Sequence, residues 1–240
     1  MSKLAFECEG LSVEPIVIKS SRRKTASLEV KNGELKVRVP KGTSEHWIQQ
    51  FITQRHAWII QHISSQLDRQ QSYQVNPYKT GSVPFLGENF PLNIQMVSEK
   101  SSISFNQDRF DIHLNRRISR DPEVVTNELL QAWLVEAARD HLISRTRVLS
   151  ENMKLVPVTI DIGNFKSMWG RCSAKGDITL NWRLILAEPD AIDYVIIHEI
   201  CHLQEFNHSA AFWKKVGGYC ANTQVWRHYF KERSVWLSWR

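Results

Sequence analysis

The sequence lacks a long apolar segment. None of its hydrophobic runs approaches the roughly 18–20 residues that a membrane-spanning helix needs. The first twenty residues also lack the apolar stretch of a secretory signal peptide, because Glu7, Glu9 and Glu14 interrupt them. We therefore expect a mature cytoplasmic protein that has no association with a membrane.

Cysteine is scarce and widely spaced. The four cysteines form no CxxC pair, and no secretory signal accompanies them. Such a set predicts free thiols packed as small apolar groups rather than a disulfide framework. The sequence also has no internal repeats and no low-complexity segments, which argues against a repeat architecture. The cysteines are Cys8, Cys172, Cys201 and Cys220.

Basic residues are in modest excess. Lys and Arg number 31 against 25 Asp and Glu, so the formal net charge is +6 and the pI is about 9.2. The excess favours encounters with nucleic acid or acidic surfaces. Because the basic residues form short clusters rather than one stripe, solvated surface is the first interpretation and a weak association with nucleic acid is the alternative. The clusters are Lys19, Arg22, Arg23 and Lys24; Arg116, Arg117 and Arg120; and Arg227, Lys231 and Arg233.

The first half of the chain predicts a β-rich region that contains one long helix. With 240 residues, the chain is long enough for one large domain or two small ones. The long helix starts at Ser44 and runs to about Gln71, with apolar residues at a period of three to four. The predicted hairpins are Ser27–Val39, turning at Asn32-Gly33; Val83–Val97, turning at Gly87-Glu88-Asn89; and Ser102–Leu114, turning near Asn106-Gln107-Asp108.

The second half predicts more helix. A polar, basic segment at Arg116–Arg120 suggests a domain boundary near residue 118, giving domains 1–118 and 119–240. Asp121-Pro122-Glu123 then starts a helix that runs to about Ser150. The fold class that follows is α+β. Further strands are predicted at Val158–Ile162, Lys166–Cys172 and Asp177–Trp182, and further helices from Pro189-Asp190, at about Ser209–Tyr219 and at about Thr223–Trp236.

The motif that carries chemistry is HEICHLQEFNH, residues 198–208. In a helix, residues four apart lie about 40° apart around the axis, so His198 and His202 project side by side and can grip one metal ion. Glu199 lies on the flank of the pair, where it can reach a metal-bound water without being a ligand, as the HExxH pattern requires. The opposite face is apolar, with Ile192, Ile196, Ile200 and Leu203.

His208 is the predicted third ligand. Six residues beyond His202, a continuing helix would aim His208 away, so the helix must stop and the chain must double back. Asn207 tolerates a left-handed cap conformation, and Ser209 is a good N-cap for a next helix. The spacing equals that of the HExxHxxGxxH zincins, with Glu205 in place of the glycine. The alternative ligands are Glu205, His228 and His141.

Three histidines and a glutamate at this spacing predict peptide-bond hydrolysis. Three neutral imidazoles on a tetrahedral Zn²⁺ leave one position open for water, whose pKa the ion lowers. Glu199 would take the proton of this water and return it to the leaving amine. The substrate would be a protein or a peptide. The group that stabilises the oxyanion stays open among Arg183, Tyr219, His228 and Tyr229.

Three segments resemble the YgjP-like zinc metallopeptidases, relatives of the SprT and WLM zinc proteases. They are KSMWGRCSAKGDITLNWRLI from Lys166, DYVIIHEICHL from Asp193, and Asn207-His208-Ser209 before Phe212-Trp213. The resemblance covers about residues 120–215, and the N-terminal hairpins and the Trp47–Trp58 helix extend it over most of the chain. It implies a minimal zincin-like metallopeptidase domain behind a β-rich N-terminal region, with zinc on His198, His202 and His208 and with Glu199 as the base. Arg171 stands where this family commonly has a small residue.

Two other functions remain alternatives. The SprT relatives and the basic balance suggest a DNA-associated protease, whose DNA binding would fall steeply with salt. A non-catalytic, zinc-stabilised binding module would instead unfold on chelation and cut nothing. Glu199 argues against the module, because a structural site has no use for a base there. For Met168-Trp169-Gly170, near the motif, we expect core packing in preference to substrate binding, with Trp169 against the active-site helix and a close backbone approach at Gly170.

Overall fold

The computed structural model of the protein describes residues 5–8, 11–31 and 34–239, and it divides the chain into two compact units between Tyr73 and Gln74. The first unit begins with an antiparallel pair of short strands. A three-stranded sheet follows, in which β5 is central, parallel to β3 and antiparallel to β4. The strands are β1 (Phe6–Cys8), β2 (Leu11–Val13), β3 (Ile16–Ser20), β4 (Ser27–Lys31) and β5 (Glu34–Pro40).

The core of the first unit lies between this sheet and two helices, α1 (Glu45–Gln54) and α2 (His56–Tyr73). Alternate residues of β5 point to one face of the sheet, so its apolar residues are buried together. The β4–β5 hairpin is confirmed by its antiparallel register, while its predicted turn at Asn32-Gly33 lies outside the described residues. The buried set includes Leu35, Val37, Val39, Ile48, Ile52, Ile59 and Ile63.

The long helix predicted from Ser44 to about Gln71 is present but is interrupted at one residue. Ser44 caps α1 as expected, with its side chain accepting a hydrogen bond from the Trp47 backbone. The helix then ends at Arg55, whose φ of −113° and ψ of 14° are not helical, and α2 begins at the next residue. The apolar period could not signal this break, because Ile52 and Ile59 are seven residues apart, which is about two helical turns.

The second unit opens with a short helix, α3 (Pro77–Thr80), and a four-stranded sheet in the order β6-β7-β9-β8. The first hairpin of this sheet turns at Leu86-Gly87, one residue before the predicted position. Both residues have positive φ, 49° and 83°, as a two-residue hairpin turn requires. The second hairpin turns where predicted. The strands are β6 (Ser82–Phe85), β7 (Glu88–Val97), β8 (Ser102–Phe105) and β9 (Phe110–Asn115).

The two compact units meet between Tyr73 and Gln74, whereas the predicted domain boundary lies near residue 118. The long helix α4 (Pro122–Met153), capped by Asp121 as predicted, packs on the four-stranded sheet. The Trp133 ring lies 4.9 Å from that of Phe110 and 5.3 Å from that of Phe85, so an aromatic cluster joins the two sides of residue 118. As units of function, the domains 1–118 and 119–240 stay a prediction.

The rest of the second unit is a group of helices and a three-stranded sheet, which packs on α4. The sheet order is β10-β12-β11, so β11 lies at an edge. The elements are β10 (Thr159–Gly163), β11 (Gly170–Cys172), β12 (Asp177–Asn181), a 3₁₀ segment (Trp182–Leu186), α5 (Pro189–Cys201), α6 (Ala210–Tyr219), α7 (Thr223–Glu232) and a second 3₁₀ segment (Arg233–Ser238). The α+β class is confirmed. Within the described ranges, we find no helix with the length and apolar character needed to cross a bilayer.

The predicted strand Lys166–Cys172 is shorter than expected. Only Gly170–Cys172 pairs with β12. The buried side chain of Asn181 holds the preceding residues in a loop, because its Nδ2 donates to the Phe165 and Met168 carbonyl oxygens at 2.9 and 3.0 Å. This loop and the start of β11 pass beside the motif helix.

Candidate metal centre

The helix that carries the motif, α5, is buried along nearly its whole length. Ile192, Ile196 and Ile200 are fully buried, as their position opposite the histidines predicts. The helix packs against α4 on one side and against β11 and α6 on others. Its anchorage fixes the direction in which His198 and Glu199 project.

The turn between His202 and His208 forms as predicted in outline. The helix tightens at its end: the His202 and Leu203 N–H groups donate to carbonyls three residues back, at 3.2 and 3.0 Å. Ser209 caps α6 by accepting from the Phe212 N–H. Asn207 does not take the left-handed conformation that we expected, because the 3₁₀ turn already ends the helix.

This turn brings the three histidines together. One ligand atom from each of His198, His202 and His208 lies within 4.8 Å of the others. The Nε2 atoms of His198 and His208 are 3.0 Å apart. Two nitrogens bound to one tetrahedral zinc at about 2.0–2.1 Å would lie roughly 3.3 Å apart, so this spacing fits a shared ion.

Hydrogen bonding orients the His202 ring. Its Nδ1 lies 2.8 Å from the Glu205 carbonyl oxygen, and a carbonyl only accepts, so Nδ1 carries the proton. Nε2 of His202 therefore keeps a free lone pair. A backbone partner of this kind is the usual support of a metal-binding histidine. Glu205 thus contributes through its backbone at the position where the zincin pattern has glycine.

The surroundings of His198 and His208 favour the neutral imidazole, the form that binds a metal. Burial, followed by the neighbouring His202 and His208, lowers the pKa of His198 to about 3. Burial and His202 also lower the pKa of His208. Nδ1 of His198 is buried and has no hydrogen-bond partner among the described residues. The other ring nitrogen of His198, Nε2, makes its polar contact with Nε2 of His208. This donor set suits a borderline cation such as Zn²⁺.

Glu199 lies beside the histidines in an apolar environment. Its side chain is almost fully buried, and burial raises its pKa to about 8. The backbone of β11 closes over the carboxyl group at Gly170, where an added Cβ would lie 2.8 Å from both Cγ and Oε1 of Glu199. The expected close backbone approach at Gly170 is therefore present, and it is made to Glu199.

A cavity of about 360 Å³ adjoins His198 and Glu199. Trp169 lines it and packs on Phe230 and Trp236, with ring centroids 4.8 and 6.3 Å away, while its stacking against the motif helix stays a prediction. Three polar residues that the sequence analysis did not assign to the site also line it. They are Tyr194, Arg227 and Lys231.

The predicted oxyanion candidates lie elsewhere. Within the described part of the chain, none of the four lines this cavity. Arg183 is buried and donates to Asn164 and to the Trp239 carbonyl, and the Tyr229 hydroxyl accepts from the Glu188 N–H. His228 pairs with Glu232, and Tyr219 is half exposed.

The alternative ligands are not part of the histidine cluster either. Among the described residues, Glu205, His228 and His141 stand outside it. His141 lines a separate surface pocket with Arg145. Burial raises the pKa values of Cys172 and Cys201 to about 11, so these thiols stay protonated and packed, as predicted.

Comparison with known protein families finds a match that includes the histidine motif. A protein-family model described as YgjP-like, metallopeptidase domain matches residues 24–233. The match covers most of the 240 residues and includes the whole motif. Searches of curated proteins and of solved structures find no match to the chain.

Proposed function

We propose that this chain hydrolyses peptide bonds with a zinc ion, because it belongs to the YgjP-like metallopeptidase family. The observation that carries the proposal is the convergence of three imidazoles beside a buried carboxyl group. His198, His202 and His208 would hold the ion through their ring nitrogens. When bound, zinc supplies a Lewis acid that polarises the scissile carbonyl and lowers the pKa of water.

Glu199 is the proposed general base and acid. It would accept a proton from the attacking water at a carboxylate oxygen and then deliver that proton to the leaving amine nitrogen. Its burial under Gly170 supports this role, because a group excluded from solvent keeps one position and exchanges protons only with what enters the cleft. A positive ion beside it would favour the charged carboxylate and offset the effect of burial.

The edge strand β11 is the proposed binding site for the peptide backbone. Its outer side pairs with no other described strand, so its N–H and C=O groups can pair with an extended chain. Gly170 begins this strand and touches Glu199. A peptide added to this edge would therefore run beside the base and the histidines.

The test is zinc content together with the Glu199→Gln variant. We expect the purified chain to hold one zinc ion and to cleave peptides. Glu199→Gln should keep the zinc and lose about 10²- to 10⁴-fold in kcat, the usual contribution of a positioned base. The exposed Glu151→Gln, the same chemical change on α4, is the control and should keep full activity. Absence of zinc, or full activity in Glu199→Gln, would overturn the proposal.

The rival functions gain no specific support. The family match says nothing of nucleic acid, so a weak association with it and a role as a DNA-associated protease stay predictions. The cytoplasmic location also stays a prediction. The peptide-cleavage assay distinguishes our proposal from a non-catalytic zinc-stabilised module, because such a module would cut no peptide.

A further inference from the structure

Two cations line the cavity next to the histidine cluster. Arg227 and Lys231 are four residues apart on α7, so they project from the same face of that helix. His198 and Glu199 of the motif helix line the same cavity. In the sequence, Arg227 and Lys231 are part of a basic cluster with Arg233.

These cations are not neutralised by the protein. In the described ranges, neither Arg227 nor Lys231 takes part in an ion pair with an acidic side chain. Glu232, the acidic residue next to Lys231, pairs with His228 instead, at 3.3 Å. Glu199 is the carboxyl group among the described residues that line the cavity, and it forms no ion pair with either cation.

Arg227 is held in place close to the histidines. Its guanidinium carbon lies 4.5 Å from the centre of the Trp213 ring, which supports the side chain from one side. The same Trp213 ring lies 5.7 Å from the His198 ring and 5.6 Å from the His208 ring, measured between centroids. Arg227 therefore belongs to the group of side chains around the histidines, and it lines the cavity beside His198.

Charge balance then calls for an anion in this space. A divalent ion bound by three uncharged imidazoles would keep its full charge, and Arg227 and Lys231 add two further positive charges. Against these the site holds one carboxyl group, Glu199. A negatively charged group that enters the cavity would gain charge-assisted hydrogen bonds from both cations without displacing an existing partner.

We propose that this cavity binds a carboxylate of the substrate, close to the scissile bond, through Arg227 and Lys231. The proposal rests on the peptidase function proposed above and assigns that peptidase a preference for acidic substrates. The apolar lining suits the stem of such a side chain, because Trp169 and Phe230 can cover its methylene groups while the two cations bind its end. The carboxylate can belong to an Asp or Glu side chain or to the C-terminus of a peptide.

The experiment uses the zinc-loaded full chain and a mixed library of synthetic peptides, with cleavage sites read by mass spectrometry. We expect Asp or Glu at one fixed position relative to the cut. Peptides with amidated C-termini separate the two sources of carboxylate, because only the side chain survives amidation. For a preferred peptide and its Gln or Asn counterpart, kcat/KM is then measured in wild type, Arg227→Gln, Lys231→Gln and Lys231→Glu.

Each Gln variant should lose about 10- to 100-fold in kcat/KM on the acidic peptide, as expected for a lost hydrogen bond to a charged group. The amide counterpart should change little, and Lys231→Glu should shift the preference toward Lys and Arg. Lys214→Gln, an exposed lysine on α6 outside the cavity, is the control and should leave the preference intact. Lys231 is exposed, so its variants test the proposal even where Arg227→Gln fails to fold.

The outcomes separate the two proposals. If the zinc-loaded wild type cuts no peptide, the proposed function fails and this inference with it. If it cuts without an acidic preference, or if the preference survives in the Arg227 and Lys231 variants, only the inference is overturned. Equal losses on acidic and amide peptides would also overturn it, because they would indicate a role in the reaction rather than in recognition.

Discussion

At the scale of single residues, Gly170 controls the position of the proposed base. A Cβ at this position would lie 2.8 Å from Cγ and Oε1 of Glu199, closer than packed atoms tolerate. Overpacking of this kind costs about 1–3 kcal/mol, and misplacing a catalytic group by about 1 Å can cost on the order of 10²-fold in rate. We expect Gly170→Ala to keep its zinc and to lose activity on that order, measured as kcat/KM beside metal content.

The control for this variant is Gly217→Ala. Nothing lies within 4 Å of the position where its Cβ would stand, and it lies within α6, where alanine is the better helix former. This variant should therefore keep both zinc and activity. Full activity in Gly170→Ala would show that the carboxyl group of Glu199 has more freedom than its contact with β11 indicates.

The burial of Glu199 predicts a pH dependence of stability in the zinc-free protein. Burial raises the pKa of Glu199 in the folded chain to about 8, from an ordinary value of 4.5. Between pH 4.5 and pH 8, the folded chain therefore keeps the Glu199 proton, whereas the unfolded chain loses it. Stability is therefore highest below pH 4.5 as far as this group is concerned, and its contribution is lost as the pH rises toward 8. At pH 8 the loss is up to roughly 4 kcal/mol.

The measurement is chemical unfolding of the chelator-treated protein across this pH range, for wild type and for Glu199→Gln. The amide cannot ionise, so the variant should lose less stability than wild type as the pH rises. Parallel curves for the two proteins would contradict the prediction, because they would show that Glu199 ionises in the folded state at no cost.

At the scale of elements, the cap of α6 sets the corner that holds His208. Ser209 accepts a hydrogen bond from the Phe212 N–H, and His208 directly precedes it. Loss of such a cap costs about 1 kcal/mol. We expect Ser209→Ala to lower stability by about that amount and to weaken zinc binding as well, because the chain entering the helix is no longer fixed.

Ser44→Ala provides the matched control for the α6 cap. Ser44 caps α1 in the same way, by accepting from the Trp47 N–H, and it lies in the other compact unit. Its substitution should cost similar stability and leave zinc affinity unchanged. The two variants are compared by thermal unfolding and by competition with a zinc chelator. An equal effect of both on zinc affinity would count against a specific role of the corner.

The elements also show what the sequence could and could not predict. The caps at Asp121 and Ser209 were predictable because capping depends on one side chain and the backbone beside it. The break at Arg55 was not, because two helices in sequence can keep one apolar period. The hairpin turn at Leu86-Gly87 was misplaced by one residue because leucine rarely takes the positive φ that it has there.

The candidate site also contains residues that the sequence predicts and residues that only the packing reveals. His198, Glu199, His202 and His208 were predictable because a helix period and one turn relate them. Arg227 and Lys231 come from α7, which begins 15 residues after His208, and no local pattern connects them to the motif. Only the packing of α7 beside the cavity brings them to it.

At the scale of the whole molecule, the second compact unit should work alone. All of the proposed site residues lie within residues 74–240, and so does the aromatic cluster around Trp133. We expect a fragment of residues 74–240 to fold cooperatively and to bind zinc. A fragment of residues 119–240 removes the strands that carry Phe85 and Phe110 and exposes the Trp133 face of α4, so it should aggregate or stay partly unfolded. Circular dichroism, thermal unfolding and zinc content distinguish the two. If the shorter fragment folds and binds zinc as well as the longer one, the predicted boundary near residue 118 is the true domain boundary and the aromatic cluster is dispensable.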